Sequence, residues 1–366
     1  MSGYYGCGNA GDEAVLAGIK QAFRATGAAA RLVALSQNPE STRRLHGLDA
    51  EYRMNMRSVR TLLKRSDLLL SGGGSLLQDT TSLRSLVYYV LVIRMALNAG
   101  VPVMFYAQGL GPLRRSLARW LVRLAANRAS YITVRDEPSL RLLRSIGVDV
   151  PPIEVTADPA FALRPASVDS IRHCWASESL PTESRPKVGV SLRGWGPPND
   201  LQCTAYAELL TAIVGRTGGE IILVPMQVPA DRNFSDTVCT KVGTSISMVR
   251  GEYSPEVLLG LVGSMDVVVA MRLHALIFAA RTGVPPFALS YDPKVDSLMQ
   301  GLDLSGSVAP WTGFSPDEVA GRVGSLLDER ESRSAALGER ALRMERLALR
   351  NAEIALSLVQ SGPTGF

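Results

Sequence analysis

Arg272, His274 and Lys294 stand close together in an otherwise apolar stretch, Met265–Val295. Arg272 and His274 follow the strand-like run MDVVVA, and we place Lys294, in SYDPK, at the end of the next strand. A histidine among apolar residues is usually a satisfied core residue. Here, however, cationic groups beside apolar walls destabilise one another unless an anion is bound. The pattern therefore favours a site for an anionic ligand.

Two glycine-rich loops carry polar side chains suited to a sugar or an anion. In GYYGCGNAGDEA, Asn9 and Asp12 stand before an amphipathic helix, where backbone N–H groups and the helix N-terminus attract negative charge; Asp12 as a simple helix cap is the alternative. In SGGGSLLQD, Gly73 and Gly74 indicate close approach of a ligand or of another backbone. The motif ends in Asp79, for which three interpretations are open: it binds sugar hydroxyls, it acts as a general base, or it is a solvated carboxylate without a role.

Arg135 ends an apolar strand in TVRDE. Its planar guanidinium suits a carboxylate or a phosphate, and a salt bridge to Asp136 or Glu137 is an equally good explanation. The sequence contains no HExxH, no paired His/Asp metal cluster, no GxSxG elbow and no kinase signature. We therefore expect a reaction on a small anionic substrate that uses no metal and no cofactor.

The elements that must position these residues are short β-rich runs alternating with amphipathic helices, which predicts parallel α/β units. We expect an N-terminal α/β domain over residues 1–165, which includes Arg135, and a C-terminal α/β domain over 187–315. Residues 164–186 have the composition of a linker with one short helix. Residues 316–366 should form helices that pack back on the body. Because ligands bind at the carboxyl ends of parallel strands, we expect two Rossmann-like domains with a cleft between them.

The amino-acid composition limits the chemical classes of binding partner that we expect. The 366 residues have a formal net charge of +5 and a pI near 9.1, which favours anionic partners such as phosphates and acidic lipid headgroups. Aromatic residues are only 6% and no basic run is interleaved with them, so we expect no nucleic acid partner. Without a signal peptide or a sufficiently long apolar run, the prediction is a cytoplasmic protein. The stretch GPLRRSLARWLVRLAANR should be a helix that either rests on anionic headgroups or packs on the core with its arginines in water.

These motifs together resemble the polysaccharide pyruvyl transferase family, in particular its CsaB branch. The resemblance covers nearly the whole chain and rests on GNAGDEA, SGGGSLLQD, YAQGLGP, VRDEPS, ADPAF, RLHAL and SYDPKV in this order. One departure is that family members usually carry a full strand before the GYYG loop, so a shortened first strand is expected here.

The resemblance implies a GT-B-like fold and transfer of a pyruvyl group from phosphoenolpyruvate to a sugar as a cyclic ketal. In the CsaB branch the acceptor is N-acetylmannosamine of a lipid-linked cell-wall polysaccharide precursor that helps to anchor S-layer proteins, which implies work at the inner face of the membrane. It also implies that Arg135, His274 and Lys294 bind phosphoenolpyruvate, with Arg272 beside the histidine. Since a histidine exchanges protons near neutral pH, His274 is the expected general acid. The residues expected to position the acceptor are Asn9, Asp12, Gly73, Gly74 and Asp79.

Two other functions remain open from the sequence: a nucleotide-sugar glycosyltransferase of GT-B type, and a sugar- or phosphate-binding protein that moves no proton. Both would also use an arginine and a lysine to bind phosphate, so the cationic residues alone do not decide between them. The sequence predicts no oligomeric state.

Overall fold

The computed structural model describes residues 1–80, 82–194, 200–243 and 246–360. They form two compact units. Among the described residues, unit 1 comprises Met1–Cys7, Asp12–Leu163 and residues 344–360, and unit 2 comprises Gly8–Gly11 and Arg164–Arg343.

Unit 1 is built on a seven-stranded sheet whose strand pairs are all parallel, in the order β3-β2-β1-β4-β5-β6-β7. The central strands β4 and β5 are buried along almost their whole length, because helices cover both faces of a parallel sheet. The strands are β1 Ser2–Tyr5, β2 Val33–Ser36, β3 Asp49–Tyr52, β4 Leu69–Leu77, β5 Val103–Leu110, β6 Tyr131–Val134 and β7 Ile153–Val155.

Helices connect the strands of unit 1, as crossovers between parallel strands require. They are α1 Ala10–Ala25, α2 Pro39–His46, α3 Met56–Leu63, α4 Leu83–Asn98, α5 Ser116–Ala126 and α6 Glu137–Ser145, and a 3₁₀ turn spans Pro159–Ala162. Helices α3 to α6 bury apolar side chains in one core cluster together with strands β4 to β6. Several helix starts follow from local sequence; for example, Asp136 caps α6 by accepting a hydrogen bond from the Ser139 amide at 2.9 Å.

Unit 2 has a six-stranded sheet, also parallel in every recorded pair, in the order β10-β9-β8-β11-β12-β13. Its strands are β8 Lys187–Ser191, β9 Glu220–Leu223, β10 Ser247–Met248, β11 Val267–Ala270, β12 Pro286–Ser290 and β13 Val308–Pro310. The remaining helices are α7 Val168–Ser177, α8 Asp200–Thr217, α9 Ala230–Cys239, α10 Pro255–Val262, α11 Leu273–Arg281, α12 Pro293–Gly301, α13 Pro316–Asp328 and α14 Arg330–Gln360. The predicted parallel α/β architecture is confirmed.

The division of the chain differs from the predicted boundaries at three places. Residues 164–186, predicted as a linker, belong to unit 2, where α7 packs on α10. The short segment Gly8–Gly11 belongs to unit 2, although the chain on either side of it belongs to unit 1. The predicted tail of residues 316–366 is not one appendage, because α13 packs on α8 within unit 2 while the end of α14 belongs to unit 1. In unit 1, the buried Asn351 accepts a hydrogen bond from Thr156 at 2.9 Å. Residues 361–366 of that prediction lie outside the described residues.

Candidate functional site

The cationic segment of unit 2 lies at the carboxyl ends of β11 and β12. Strand β11 ends at Ala270, Arg272 is the N-cap residue of α11, and His274 lies in the first turn of that helix. Lys294 lies in the first turn of α12 rather than at the end of a strand. The predicted strand position of Lys294 is wrong because Asp292 caps a helix there, accepting a hydrogen bond from the Lys294 amide at 3.1 Å.

Arg272 has an anionic partner within the protein. Its Nε donates to Asp231 at 2.8 Å, its Nη2 also contacts this carboxylate, and Nη2 donates to Gln227 at 3.0 Å. Asp231, on α9, is only 1% exposed. The prediction that these cations require a bound anion is therefore wrong for Arg272, since a buried carboxylate 41 residues away in the chain neutralises it.

Asp231 also organises the loop that holds the segment Gly8–Gly11. Its carboxylate accepts hydrogen bonds from the amides of Met226 and Gln227, at 3.2 and 2.9 Å. The Ala10 amide donates to the Met226 carbonyl at 2.8 Å, and Asn9 pairs with Gln227 in an antiparallel bridge. The Arg272–Asp231 pair thus supports the backbone to which Asn9 and Ala10 are bound.

The backbone at Gly11 lies directly against the His274 ring. A Cβ atom placed on Gly11 would lie 2.1 Å from His274 Nδ1, so no larger residue fits without moving the imidazole. The Asn9 side chain stabilises this geometry by accepting a hydrogen bond from the Gly11 amide at 2.9 Å. Gly11 thus brings the backbone of the glycine-rich loop against the candidate acid, and the approach of this loop to a ligand stays a prediction.

Sequence reasoning missed Arg193, which follows β8 at the same edge of the sheet. Its Nη1 donates to the Tyr291 hydroxyl at 2.8 Å, and its guanidinium carbon lies 4.9 Å from the centre of that ring. Lys294 Nζ lies 5.5 Å from the centre of the same ring and 3.2 Å from Asp292 Oδ2. The available signal was the position of Arg193, in SLRGWG immediately after a strand, which is the position that singled out Arg135 and Arg272. Tyr291 thus lies in contact with two cations.

In unit 1, Arg135 directly follows β6, and its side chain is only 6% exposed. It donates to Asp158 at 2.9 Å and to Ser75 at 2.9 Å, and it lies 3.5 Å from Asp136. Burial lowers the pKa of Arg135, but the charges of Asp158 and Asp136 outweigh burial, and its net pKa is raised. The salt bridge considered from the sequence is present, and Asp158 adds a second, closer carboxylate that the local sequence did not indicate.

The glycines of SGGGSLLQD lie inside strand β4 rather than in a turn after it. Gly73 has φ +78°, and a Cβ there would lie 2.1 Å from Val15 on α1. A Cβ on Gly74 would lie 3.2 Å from Asp12 Oδ1. Gly73 therefore serves close packing of α1 on the sheet, while Gly74 leaves space beside the Asp12 carboxylate.

Asp79 binds backbone amides. It is buried, and its oxygens accept hydrogen bonds from the amide of Arg114, at 2.9 Å, and from that of Arg115, at 2.6 Å, just before α5. Burial alone raises the pKa of Asp79, but the two amide hydrogen bonds reverse the effect and lower it. A carboxylate held in this way is a poor general base.

Glu13 and His46 form a buried pair beneath the first loop. Glu13 Oε2 lies 2.7 Å from His46 Nε2, and Glu13 Oε1 accepts a hydrogen bond from the Gly6 amide at 2.8 Å. The Glu13 carboxylate thus links His46 to the loop that leads into α1.

Arg53 is a second residue that sequence reasoning missed. It is buried at the end of β3, with its guanidinium carbon 4.3 Å from the centre of the Tyr88 ring and 5.3 Å from that of Tyr89. Burial raises the pKa of Tyr4, and the charges of Cys7 and Asp12 raise it further. Asp12 and Arg53 therefore act on the same group of side chains at the carboxyl end of β1.

Within the described ranges, no group of three or more His, Cys, Asp or Glu side chains has the arrangement to hold a metal ion. None of the helices in those ranges combines the length and the apolar character needed to cross a bilayer.

Comparison with known proteins identifies the family. The sequence matches polysaccharide pyruvyl transferase over residues 9–293, and Lys294 is the first residue beyond that match. The amylovoran biosynthesis protein AmsJ of Erwinia amylovora is 21% identical over 300 residues, which cover 78% of this chain and 71% of AmsJ.

Two solved structures show the fold. UDP-GlcNAc 2-epimerase from Neisseria meningitidis, bound to UDP-GlcNAc, has a TM-score of 0.62 at 14% identity, covering 99% of this chain and 100% of that one. ADP-heptose lps heptosyltransferase II of E. coli has a TM-score of 0.54 at 17% identity, covering 90% and 98%. Such low identities show the fold alone, which consists of two Rossmann-like domains of the GT-B-like class, and they do not favour a glycosyltransferase activity. Because the family match spans most of its length, the chain belongs to the polysaccharide pyruvyl transferase family.

Proposed function

We propose that the enzyme transfers the pyruvyl group of phosphoenolpyruvate to two hydroxyls of one sugar, releasing phosphate and forming a cyclic ketal. The observation that carries the proposal is the position of His274, whose ring lies against the Gly11 backbone at the sheet edge where Arg193, Arg272 and Lys294 also lie. A donor with one carboxylate and one phosphate matches the cationic side chains of Arg193 and Lys294.

The cations divide into two roles. Asp231 neutralises Arg272, so we assign Arg272 to holding the start of α11 and the loop beneath Asn9. Lys294 and Arg193, which share the Tyr291 ring, are assigned to the anionic groups of the donor. The role of Arg135 in donor binding remains a prediction from the family resemblance, because within unit 1 its charge is paired with Asp158.

His274 is assigned as the general acid. It donates a proton to the methylene carbon of phosphoenolpyruvate while a sugar hydroxyl forms a bond to the neighbouring carbon. The bond from that carbon to the phosphate oxygen then breaks, phosphate departs with the electron pair, and the second hydroxyl closes the ring. The two hydroxyl protons balance the proton added to carbon and the proton taken up by phosphate. We assign the base to Asp12 rather than to Asp79, whose oxygens accept two amide hydrogen bonds.

For the acceptor we propose N-acetylmannosamine of a lipid-linked cell-wall polysaccharide precursor, as in the CsaB branch, with a role in anchoring S-layer proteins. The proposal is supported by the motif resemblance. Asn9, Asp12 and the strand around Gly73 and Gly74 are the proposed acceptor-side elements. A lipid-linked acceptor would bring the enzyme to the inner face of the membrane.

A direct test is to incubate the purified protein with phosphoenolpyruvate and N-acetylmannosamine-containing oligosaccharides and to follow acceptor mass and released phosphate. The expected result is an acceptor gain matching one pyruvyl ketal and one phosphate released per ketal. In parallel, thermal unfolding is measured with phosphoenolpyruvate, with nucleotide sugars, and with sugar or phosphate alone. A donor at a hundred times its dissociation constant stabilises by about 2.7 kcal/mol. Stabilisation by a nucleotide sugar alone, with no ketal formed, would refute the proposal.

A further inference from the structure

Helices α4 and α5 of unit 1 present an unusual outer surface. Both helices bury one side in the same core cluster and pack against each other. The described residues include 13 large apolar side chains that are exposed, and five of these lie on the opposite, outer side of α4 and α5. They are Val87, Leu91, Leu117, Trp120 and Leu124.

The spacing of these residues makes one continuous apolar strip on each helix. Leu117, Trp120 and Leu124 recur at intervals of three and four along α5, and Val87 and Leu91 are four residues apart on α4. Trp120 is 54% exposed and Leu117 51%. The apolar arc of α5 is therefore wider than its contact with the core requires.

The stretch of chain that contains α4 and α5 has charged side chains of one sign only. Between Asp79 and Asp136 the sequence contains eight arginines and no lysine, aspartate or glutamate. The whole chain has 39 basic and 34 acidic residues, so the rest of it holds 31 basic against 34 acidic residues. The excess positive charge of the protein is thus concentrated in this region.

The arginines are placed at the rim of the strip. Arg84 and Arg94 lie on the exposed side of α4, Arg114 and Arg115 precede α5, and Arg123 lies on its exposed flank. An apolar strip edged by arginines fits the boundary between lipid headgroups and acyl chains, where the aromatic and aliphatic groups enter and the guanidiniums bind phosphates.

We propose that the outer face of α4 and α5, hereafter the α4–α5 face, is a docking surface for an anionic membrane. Of the two possibilities raised by the sequence of α5, exposure of Leu117, Trp120 and Leu124 favours the lipid surface. The face also includes α4, which the sequence did not indicate. Membrane binding itself is argued independently of the proposed function. Only its purpose, to hold the enzyme where a lipid-linked acceptor resides, rests on that function.

The test is sedimentation of the full chain with vesicles of phosphatidylglycerol and phosphatidylcholine, and with vesicles of phosphatidylcholine alone. Binding is expected only to the anionic vesicles and should weaken in high salt. The double variant Arg94→Gln/Arg115→Gln should bind about 25-fold more weakly, at about fivefold for each charge removed. Its matched control is Arg24→Gln/Arg44→Gln, which removes two exposed arginines of unit 1 outside the face and should bind like the parent.

The apolar contribution is tested by Trp120→Ser, which should weaken binding at least tenfold. Its control is Val150→Ser, at an apolar residue of unit 1 that is even more exposed and lies outside the α4–α5 face. Insertion is read directly from quenching of Trp120 fluorescence by brominated lipid, which Trp120→Phe should abolish. Because all these side chains are exposed, circular dichroism should show parental folding.

Three results would overturn the proposal: no binding to anionic vesicles, equal losses in the control variants, or an oligomer that Trp120→Ser dissociates while vesicle binding persists. The last would assign the face to a second copy of the chain. Ketal formation on a lipid-free acceptor is measured alongside. It should be unchanged in Trp120→Ser. If the parent protein forms the ketal but does not bind anionic vesicles, the docking surface alone is refuted; if it binds the vesicles but forms no ketal, the proposed function alone is refuted.

Discussion

Replacing Gly11 with alanine is the most direct test of how unit 2 positions its candidate acid. The added Cβ would lie 2.1 Å from His274 Nδ1, whereas ordinary van der Waals contact begins near 3.4 Å. The imidazole must therefore move by about 1.3 Å, or the loop must move by the same amount. A misplacement of about 1 Å at a reacting group can cost about a hundredfold in rate.

Apart from this clash, Gly11→Ala should disturb the backbone and the stability of the protein little. Gly11 lies in the first turn of α1 without a positive φ, so alanine is compatible with its backbone and gains up to about 1 kcal/mol of helix propensity. Overpacking against His274 costs about 1–3 kcal/mol. We expect the stability to fall by no more than about 2 kcal/mol and kcat to fall about a hundredfold, with a smaller change in the KM for phosphoenolpyruvate.

The assay is phosphate release at saturating donor, with the ketal confirmed by mass spectrometry and unfolding followed by circular dichroism. Gly215→Ala is the matched control, because this exposed helical glycine of unit 2 has no atom within 4 Å of the added methyl. If Gly11 acts through the imidazole, adding Gly11→Ala to His274→Gln should lower kcat little further. A parental kcat in Gly11→Ala, or full additivity in the double variant, would refute the reasoning.

The remaining predictions concern the donor, the ion pairs and pH. His274→Gln should lower turnover by about two to four orders of magnitude while titration calorimetry finds phosphoenolpyruvate affinity within about tenfold of the parent; lost binding with normal residual turnover would make His274 an anion ligand only. Arg135→Met should destabilise unit 1 by about 3–5 kcal/mol in urea unfolding, because it removes the charge partner of the buried Asp158 carboxylate, which keeps the hydrogen bond from the Ala160 amide. Lys294→Met should change stability by less than about 1 kcal/mol but weaken donor binding about tenfold or more, and equal effects of the two substitutions on stability would contradict the assigned roles. Because the folded-state pKa of Asp79 is lowered, its carboxylate stabilises the protein above the unfolded pKa of about 3.9, and this contribution is lost as pH falls through the folded value. Asp79→Asn should therefore flatten the acid limb of stability below about pH 5, measured as urea midpoints, and an unchanged limb would count against the amide-bound carboxylate.

The pattern of elements was readable from sequence because it is local. Alternating apolar runs and amphipathic segments carry the period of strand and helix, and parallel pairing follows from helices between strands. The ends of individual strands and helices were harder to predict from the sequence. Strand β4 continues through Gly72–Gly74 because the Gly73 position must accept Val15 of α1, and glycine propensity alone suggests a turn. Lys294 was predicted to end a strand because it closely follows an apolar run. The capping residue that starts α12 before it, Asp292, is a weak signal in the sequence.

The chemical types at the site were also readable from sequence, but their pairing was not. Arginine, histidine and lysine after apolar runs marked the strand ends of unit 2, and the same rule would have found Arg193. Which charges are already neutralised depends on separations of a few ångströms between residues far apart in the chain. Asp231 lies 41 residues from Arg272, and no local pattern indicates that it approaches within 2.8 Å.

The sequence by itself determined the fold class, the family and the residue types that can carry a proton or bind an anion, because each is encoded in short motifs and in periodicity. Only the tertiary structure decided that Asp231 satisfies Arg272, that Asp79 holds two backbone amides, and that the backbone of Gly11 lies against His274. It also decided that the apolar side chains of α4 and α5 stay exposed on the α4–α5 face. The physical reason is common to all four. Each depends on how elements distant in sequence dock, and docking is set by the packing of the whole unit rather than by any segment within it.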